Sequence, residues 1–525
     1  MTADAVVIGA GPNGLVAANL LADAGWDVVV LEAQPEPGGA VRSADVLEPG
    51  FVTDRFSAFY PLGAVSPHLE ALELDRHGLQ WSHAPAVLAH PVHDHPAAVL
   101  HRDLDLSAAS LDAFAAGDGD AWRSLMTAWA DVETDLIGAF MGPFPPVRAV
   151  ARLVAGSGVA GSAELARRAL IPVQRLSEES FDGDGAGLLL AGSALHADVT
   201  PSTALSGLLG WLLAGIGQRH GWPVPVGGSG ALTGALVHRL RSIGGRIRCS
   251  AEVEHIDVAR GRACGVRLRS GERIAARHAV LADVVAPKLY GGLVDSAELP
   301  ASFRRRLHRY QPGSATFKVN WTLDGPIPWS DPAVAGAGTV HIAESMAELT
   351  ITSAQLAAGQ VPSHPFVLVG QMATADPSRA PAGRESIWAY TDVPQEVRSD
   401  AAGEVATLEG SDAERFADRM QQRIEAHAPG FGSLVRRRQV QTPASMEHDD
   451  ANLINGDKNL GSAQLHQQLI FRPVLGFARP ETPVSGLFLA SASAHPGGGV
   501  HGSCGAHAAR AAIWARRRRH LPLVR

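Results

Sequence analysis

Cysteine and lysine are both scarce in this chain. The three cysteines, Cys249, Cys264 and Cys504, are scattered, with no C-x-x-C pair among them. That excludes a disulfide framework, a thiolate zinc site and a redox-active dithiol. Only Lys288, Lys318 and Lys458 carry an ammonium, so arginine supplies nearly all the positive charge. With the abundant alanine, this reads as the codon bias of a GC-rich genome. Lysine and arginine number 45 against 53 acidic residues, a net charge of −8, which gives no reason to expect nucleic acid as a partner. Long apolar runs are missing too. The longest uncharged stretch, Val199 to Gln218, opens on Pro201 and its Thr and Ser neighbours. It leaves about fourteen apolar positions where a bilayer span needs ~20, so a buried helix is expected. No leader is expected ahead of the first strand. The expected location is cytoplasmic, with peripheral contact with a membrane left open.

What is present is concentrated in the first forty-odd residues. Ala5-Val6-Val7-Ile8 is a short apolar run, β-branched at its centre, suited to a buried parallel strand. Gly9-x-Gly11-x-x-Gly14 follows at once. Leu15 to Ala24 repeats apolar residues at helical spacing, Gly25 ends that helix, and Asp27 to Leu31 is a second buried strand closed by Glu32. Gly9 allows the tight turn, Gly11 lets the backbone approach a pyrophosphate, and Gly14 lets helix and strand pack closely. The helix start aims bare N–H groups and the positive end of its dipole at phosphate. Glu32 stands eighteen residues past Gly14, near the ~20 expected of an acid that bonds ribose hydroxyls. A carboxylate there would repel a 2′-phosphate, so an unphosphorylated adenosine is expected.

Gly38-Gly39-x-x-Arg42 comes next. With it the chain resembles the two-dinucleotide-binding-domain flavoproteins, whose fingerprint runs past the ribose acid into a GG-x-x-R turn. The resemblance implies FAD as cofactor and assigns Gly39 and Arg42 to its pyrophosphate and flavin side. Gly50-Phe51-Val52-Thr53-Asp54 is similar to a stretch near the isoalloxazine ring of flavin desaturases; its residues read equally as a strand-to-loop junction. Pro223 to Asp283 matches a later part of the same FAD domain. It holds a glycine turn at Gly227, Gly228 and Gly230, a helix with Leu232, Leu236 and Leu240, an alternating strand from Arg246, a hairpin, and a returning strand at Ala279 to Ala282. In that family the residue at Val253 holds the adenine through backbone bonds. From Gly486 to Trp514 the chain gives a strand, the loop His495-Pro496-Gly497-Gly498-Gly499-Val500-His501-Gly502, and a helix. These stretches together resemble the carotenoid and phytoene desaturase type of flavoprotein, with its non-carotenoid branch. The resemblance puts Gly498, Gly499 and Val500 at the cofactor. Ser491 and Ser493 stand where members usually carry glycine, and the Gly-Glu pair that marks the amine oxidase branch here is missing. Cys504 reads as a packing residue rather than a covalent flavin tether.

Between these stretches the signals are coarser. Leu79 to Asp105 reads as a β-hairpin rich in histidine. His93-x-His95 puts two imidazoles on one strand face, but no carboxylate or thiol is spaced to complete four ligands, so no metal is expected. An amphipathic helix spans Trp122 to Ile137, and two apolar helices lie around Leu188–Leu195 and Leu205–Ile216. Strands are expected at Phe317–Leu323, Phe366–Met372 and Ser386–Asp392, and a helix at Asp412–His427 with Phe416, Met420 and Ile424 in register. Gly456 to Pro473 has no derivable role.

The expected fold is α/β: a discontinuous Rossmann-type FAD-binding domain (1–78, 222–294 and 481–525), a hairpin plus helical insertion (79–221), and an inserted α+β substrate domain (295–480). The expected activity is that of an FAD-dependent oxidoreductase, removing a hydride from a carbon of a lipophilic substrate. His495 and His501 are the candidate bases if either faces the flavin; otherwise they are hydrogen-bonded loop residues. No second nucleotide domain is visible, so reoxidation falls to oxygen or a quinone. An amine-oxidising flavoenzyme and an FAD-binding regulatory module remain alternatives.

Overall fold

The computed structural model describes residues 1–519, so the last six residues assigned to the nucleotide domain lie outside the described residues. The chain opens with β1 (Thr2–Ile8), α1 (Pro12–Asp23) and β2 (Val28–Leu31). The hairpin follows as β3 (Ala86–Val92) and β4 (His95–Leu100). Four long helices come next: α2 (Asp118–Met141), α3 (Val147–Leu170), α4 (Asp184–His196) and α5 (Ser206–His220). Helix α6 (Gly230–Ser242) leads to β5 (Arg246–Arg248), β6 (Val253–Ala259), β7 (Arg262–Leu268) and β8 (Arg273–Ala282). Then come β9 (Ala315–Leu323), β10 (Ala337–Ile342), β11 (Val367–Gln371), β12 (Glu385–Val393), α7 (Gly410–His427) and β13 (Val435–Gln441). Strand β14 (Leu487–Leu489) and helix α8 (Ser503–Arg519) close the described chain.

The first sheet has the order β6-β7-β8-β1-β2-β5, with β14 also on β8. β1 runs parallel to both β2 and β8, and β14 is parallel to β8. Parallel strands are buried on both faces, and the period of two divides β1 accordingly. Ala5 and Val7 pack on α1, α6 and α8, while Val6 and Ile8 pack toward Val253, Ile256 and Val266. A doubly wound sheet of this kind holds its ligand outside the strand C-termini, where the order reverses. Here that point lies past Ile8, between β2 and β8.

The second sheet has the order β13-β9-β12-β11-β10-β3-β4. The hairpin, grouped by its sequence with the helices, is therefore the end of this sheet, and β3 lies parallel to β10. Strand β9 explains the layering. Phe317, Val319, Trp321 and Leu323 meet Phe416, Met420 and Ile424 of α7 in one core. The alternate residues Thr316 and Lys318 face a cavity between the sheets. Helices α2, α4 and α5 cover the rest, with Trp122, Trp129 and Trp211 buried among them. Helix α3 lies in a stretch, Leu106 to Gln218, that reads as mostly helical, but it is not singled out there because Val147, Val150 and Val154 lie on its exposed side and blur the apolar stripe on which such readings rest.

Arg379 pins the two parts of the molecule together. It is fully buried, 2.9 Å from Asp54 Oδ2 and 3.0 Å from Asp376 Oδ2. It also donates to the carbonyl of Pro225. Asp54 in turn accepts from the Ser229 N–H at 2.8 Å and the Ser43 hydroxyl at 2.6 Å. The Gly50–Asp54 stretch is thus a structural joint, and Phe56 just beyond it is what reaches the cavity.

Candidate functional site

Helix α1 begins at Pro12 with Gly11 as its cap, no side-chain cap and no acid in its first turn. Proline suits the first helical position because its missing N–H would go unbonded there. Behind it the Gly14 N–H is held by Asp283 Oδ2, while the helix start itself borders the cavity, where its dipole favours an anion. The glycines are sterically enforced. A Cβ on Gly14 would fall 2.2 Å from the Gly9 carbonyl, and one on Gly9, at φ +92°, would fall 2.8 Å from the Asp283 carbonyl. Gly39 lies against this turn, where a Cβ would come 3.1 Å from Gly11 Cα.

Glu32 is buried and already organised. Its Oε2 accepts the Ala10 N–H at 2.8 Å and its Oε1 the Gln34 N–H at 2.9 Å. Burial raises its pKa, against those two N–H bonds. Arg42 is buried, donates to the carbonyls of Gly39 (2.9 Å) and Asp449 (2.8 Å), and stacks on Phe56. Val253 sits at the start of β6 on the same cavity wall. Gly9, Gly11, Glu32, Gly39, Arg42, Val253, Gly498, Gly499 and Val500 all border one cavity of about 930 Å³, at the upper end of the ~300–1,000 Å³ typical of ligand sites. Gly14 stands behind it, packing helix on strand. Fixed glycines, a helix start on the cavity wall and a buried acid beside it suit a bound FAD. Glu32 would hold the adenosine ribose, and Arg42 would serve the pyrophosphate and flavin side.

Two residues here escaped the sequence reading. Asp283, at the end of β8, accepts the Gly14 N–H at 2.8 Å through Oδ2. Burial, with Asp450 and Glu32 nearby, pushes its pKa up to about 7 against that bond. The sign follows. A pyrophosphate added beside this helix start favours neutral Asp283, so cofactor binding takes up a proton. FAD affinity of the apoprotein is expected to weaken as pH rises through about 7, and Asp283→Asn, neutral throughout, to flatten that dependence. FAD titrations of both apoproteins between pH 6 and pH 8 check this, the window bracketing the raised pKa. Arg472 is the other. Fully buried, it donates to the carbonyls of Ala492, Asn459, Leu460, Gly461 and Ser462, with no carboxylate partner among the described residues. It ties the Gly456–Pro473 stretch, obscure in the sequence, to the loop that carries Gly498. Ser491 and Ser493 spend their hydroxyls on the carbonyls of Val284 and Leu460.

The candidate bases separate. His495 borders the cavity; His501 does not. His501 Nδ1 accepts the Ser503 N–H at 3.0 Å, at the start of α8. Burial lowers both imidazoles to about 4, which makes each a poor proton acceptor at neutral pH. Cys504 is buried outside the cavity wall, and burial pushes its thiol up to about 12.

All three lysines of the chain border this one cavity. Their rarity was the available signal, and it was read as codon bias alone. Lys318 is buried, with its Nζ on the carbonyls of Asp54 (2.5 Å) and Phe56 (3.2 Å), and burial brings its pKa down to about 7. Lys458 lies between Asp198 and Asp392 and over the Tyr390 ring. Its charge is strongly held by those carboxylates, although burial opposes it. Lys288 pairs with Glu447 at 2.7 Å. Away from the nucleotide end the wall is apolar, with Leu136, Phe140, Phe144, Leu208, Leu209 and Leu212.

A family model described as "Flavin containing amine oxidoreductase" matches residues 13–393. The chain is 28% identical over 547 aligned residues to "Pyridine nucleotide-disulfide oxidoreductase domain-containing protein 2" of Mus musculus, covering 96% of this chain and 92% of that one. It is 26% identical over 520 residues to the "zeta-carotene-forming phytoene desaturase" of Myxococcus xanthus, covering 94% and 90%. Among solved structures, putrescine oxidase bound to putrescine superposes with a TM-score of 0.61 at 17% identity, covering 99% of this chain and all of that one, a likeness of fold.

Proposed function

This chain belongs to the flavin-containing amine oxidoreductase family, its cofactor is FAD, and from that premise we propose that it dehydrogenates a lipophilic substrate at a carbon–carbon bond. The observation that carries the reading is the continuity of the cavity from the glycine turn to its apolar wall. When bound, FAD supplies the hydride acceptor. The chain's own residues do the rest. The leucines and phenylalanines hold an apolar substrate and exclude water. Lys318, poised near neutrality, takes the proton that leaves as the C=C bond forms. The electrons then pass to oxygen or a quinone, since the described residues form one dinucleotide-type glycine turn. An ammonium substrate is less well served, because Asp198 and Asp392 are both engaged by Lys458.

The mouth of the cavity supports delivery of substrate from a membrane surface. Val150 and Leu469 border the cavity and are about half exposed. Val147, Ile470, Phe471 and Leu475 extend this apolar rim. Arg306 donates to the Leu475 carbonyl and the Arg309 carbonyl accepts from the Gln467 side chain, so an arginine-rich segment meets this edge. Apolar side chains ringed by arginine suit an anionic bilayer. Among the described residues no helix is long and apolar enough to cross a membrane.

One experiment tests both points. Holoenzyme is mixed anaerobically with anionic vesicles carrying a lipophilic polyene. Bleaching of the flavin band and co-flotation with the vesicles are the expected results. Lys318→Met is expected to bleach about a hundredfold or more slowly, the ~10²–10⁴-fold span of proton-transfer catalysis, while keeping its flavin. Bleaching by an amine and not by the polyene would sink the reading.

A further inference from the structure

We propose that His93, Glu344 and His427 form a binding site for a divalent transition metal of the zinc class, apart from the flavin cavity. The three come from separate elements: the β3–β4 turn, the segment just past β10, and the last residue of α7. Their ligand atoms all lie within 4.8 Å of one another. His93 Nδ1 is 2.7 Å and His427 Nε2 is 2.9 Å from the same oxygen, Glu344 Oε1. The two imidazole centroids are 4.3 Å apart.

His427 supplies the independent argument. It is 5% exposed, and its Nε2 has no hydrogen bond. The 2.9 Å contact with Glu344 therefore lacks the angle of a hydrogen bond. An imidazole nitrogen buried without a partner is unfavourable, and a metal ion would give it one. Burial lowers the His427 pKa, with His93 and Arg423 adding and Glu344 opposing. Glu344 is held below its ordinary value: burial opposes this, but the His93 N–H and the two imidazoles outweigh it. Neutral imidazole and ionised carboxylate are the ligand forms. The neighbouring cation, Arg423, is paired with Glu348. Zinc holds imidazole nitrogen and carboxylate oxygen at ~2.0–2.2 Å, so tetrahedral ligand atoms stand ~3.3 Å apart. The two contacts on Glu344 Oε1 need open only by about half an ångström from the observed distances. His93 is half exposed, which leaves the fourth position to water.

The H-x-H spacing is not what builds this site. His95 turns away, with its Nδ1 on the Pro96 carbonyl and its ring against Phe114. A bound ion would staple the edge hairpin of the second sheet to helix α7.

The test uses flavin-loaded protein without a polyhistidine tag, stripped by a chelator and titrated with zinc chloride by calorimetry and thermal melting. One zinc per chain, in the micromolar range or tighter, with a raised Tm, is expected. His93→Ala and Glu344→Gln, both at solvent-reaching positions, are expected to weaken zinc at least about tenfold. His95→Ala is expected to leave it unchanged, and all three to keep the flavin spectrum. Absence of stoichiometric zinc, or His93→Ala titrating like its parent, overturns the site.

Discussion

Gly505→Ala is expected to take up FAD about a hundredfold more weakly than the unchanged protein, the equivalent of ~3 kcal/mol of overpacking. A Cβ at position 505 would fall 1.8 Å from the Asn13 carbonyl oxygen and 2.6 Å from its carbon. Both are backbone atoms, so no side-chain rotation relieves the clash. Helix α8 must lift from α1, or the turn holding Gly11, Asn13 and Gly14 must shift, and either move spoils the phosphate-facing N–H groups. Gly234→Ala provides the comparison. It lies within α6, where a Cβ meets nothing within 4 Å, and alanine is the better helix former. The flavin-to-protein absorbance ratio and FAD titration of the apoprotein read the effect. Parental affinity in Gly505→Ala would mean that this helix contact does not shape the cofactor site.

Arg379→Met is expected to cost about 3–5 kcal/mol of stability at neutral pH, the range for removing one partner of a buried ion pair. The guanidinium is fully buried between Asp54 and Asp376. Without it both carboxylates stay buried, although each keeps backbone N–H donors: Ser229 for Asp54, and Gly227 and Ser378 for Asp376. Arg379→Lys should recover little, because one ammonium replaces a planar fork that reaches two acids and a carbonyl. Urea unfolding at constant flavin load measures both variants. A loss under 1 kcal/mol would show that the joint contributes little.

The parts legible in the sequence were those whose physics is local. A buried strand, a glycine turn and a helix start are defined within fourteen residues, and Glu32 follows on the next strand. Strands β9, β11 and β12 were legible as short local runs, and helix α7 by its period of 3.6. What stayed hidden depends on contacts between distant residues. Asp283 meets Gly14 across 269 positions, and Arg379 meets Asp54 across 325. Nothing in the sequence near Arg472 says that five carbonyls will converge on it. His501 illustrates the opposite case. Its glycine-rich setting drew attention, yet its ring serves the start of a helix. The lysines lie between these cases: their positions were visible, but only the fold shows that one cavity collects all three.

The contact between α1 and α8 also sets an order of events in the cell. Strands β1 and β2 leave the ribosome with their glycine turn complete, but β8, β14 and α8 are still to be made. Until residues 487–519 emerge, the nascent nucleotide sheet lacks the strand that pairs with the end of β8 and the helix that covers its apolar face, the kind of surface that recruits chaperones. Cofactor loading is therefore a late step, and nascent chains stalled before Ser503 should accumulate as colourless, aggregation-prone species.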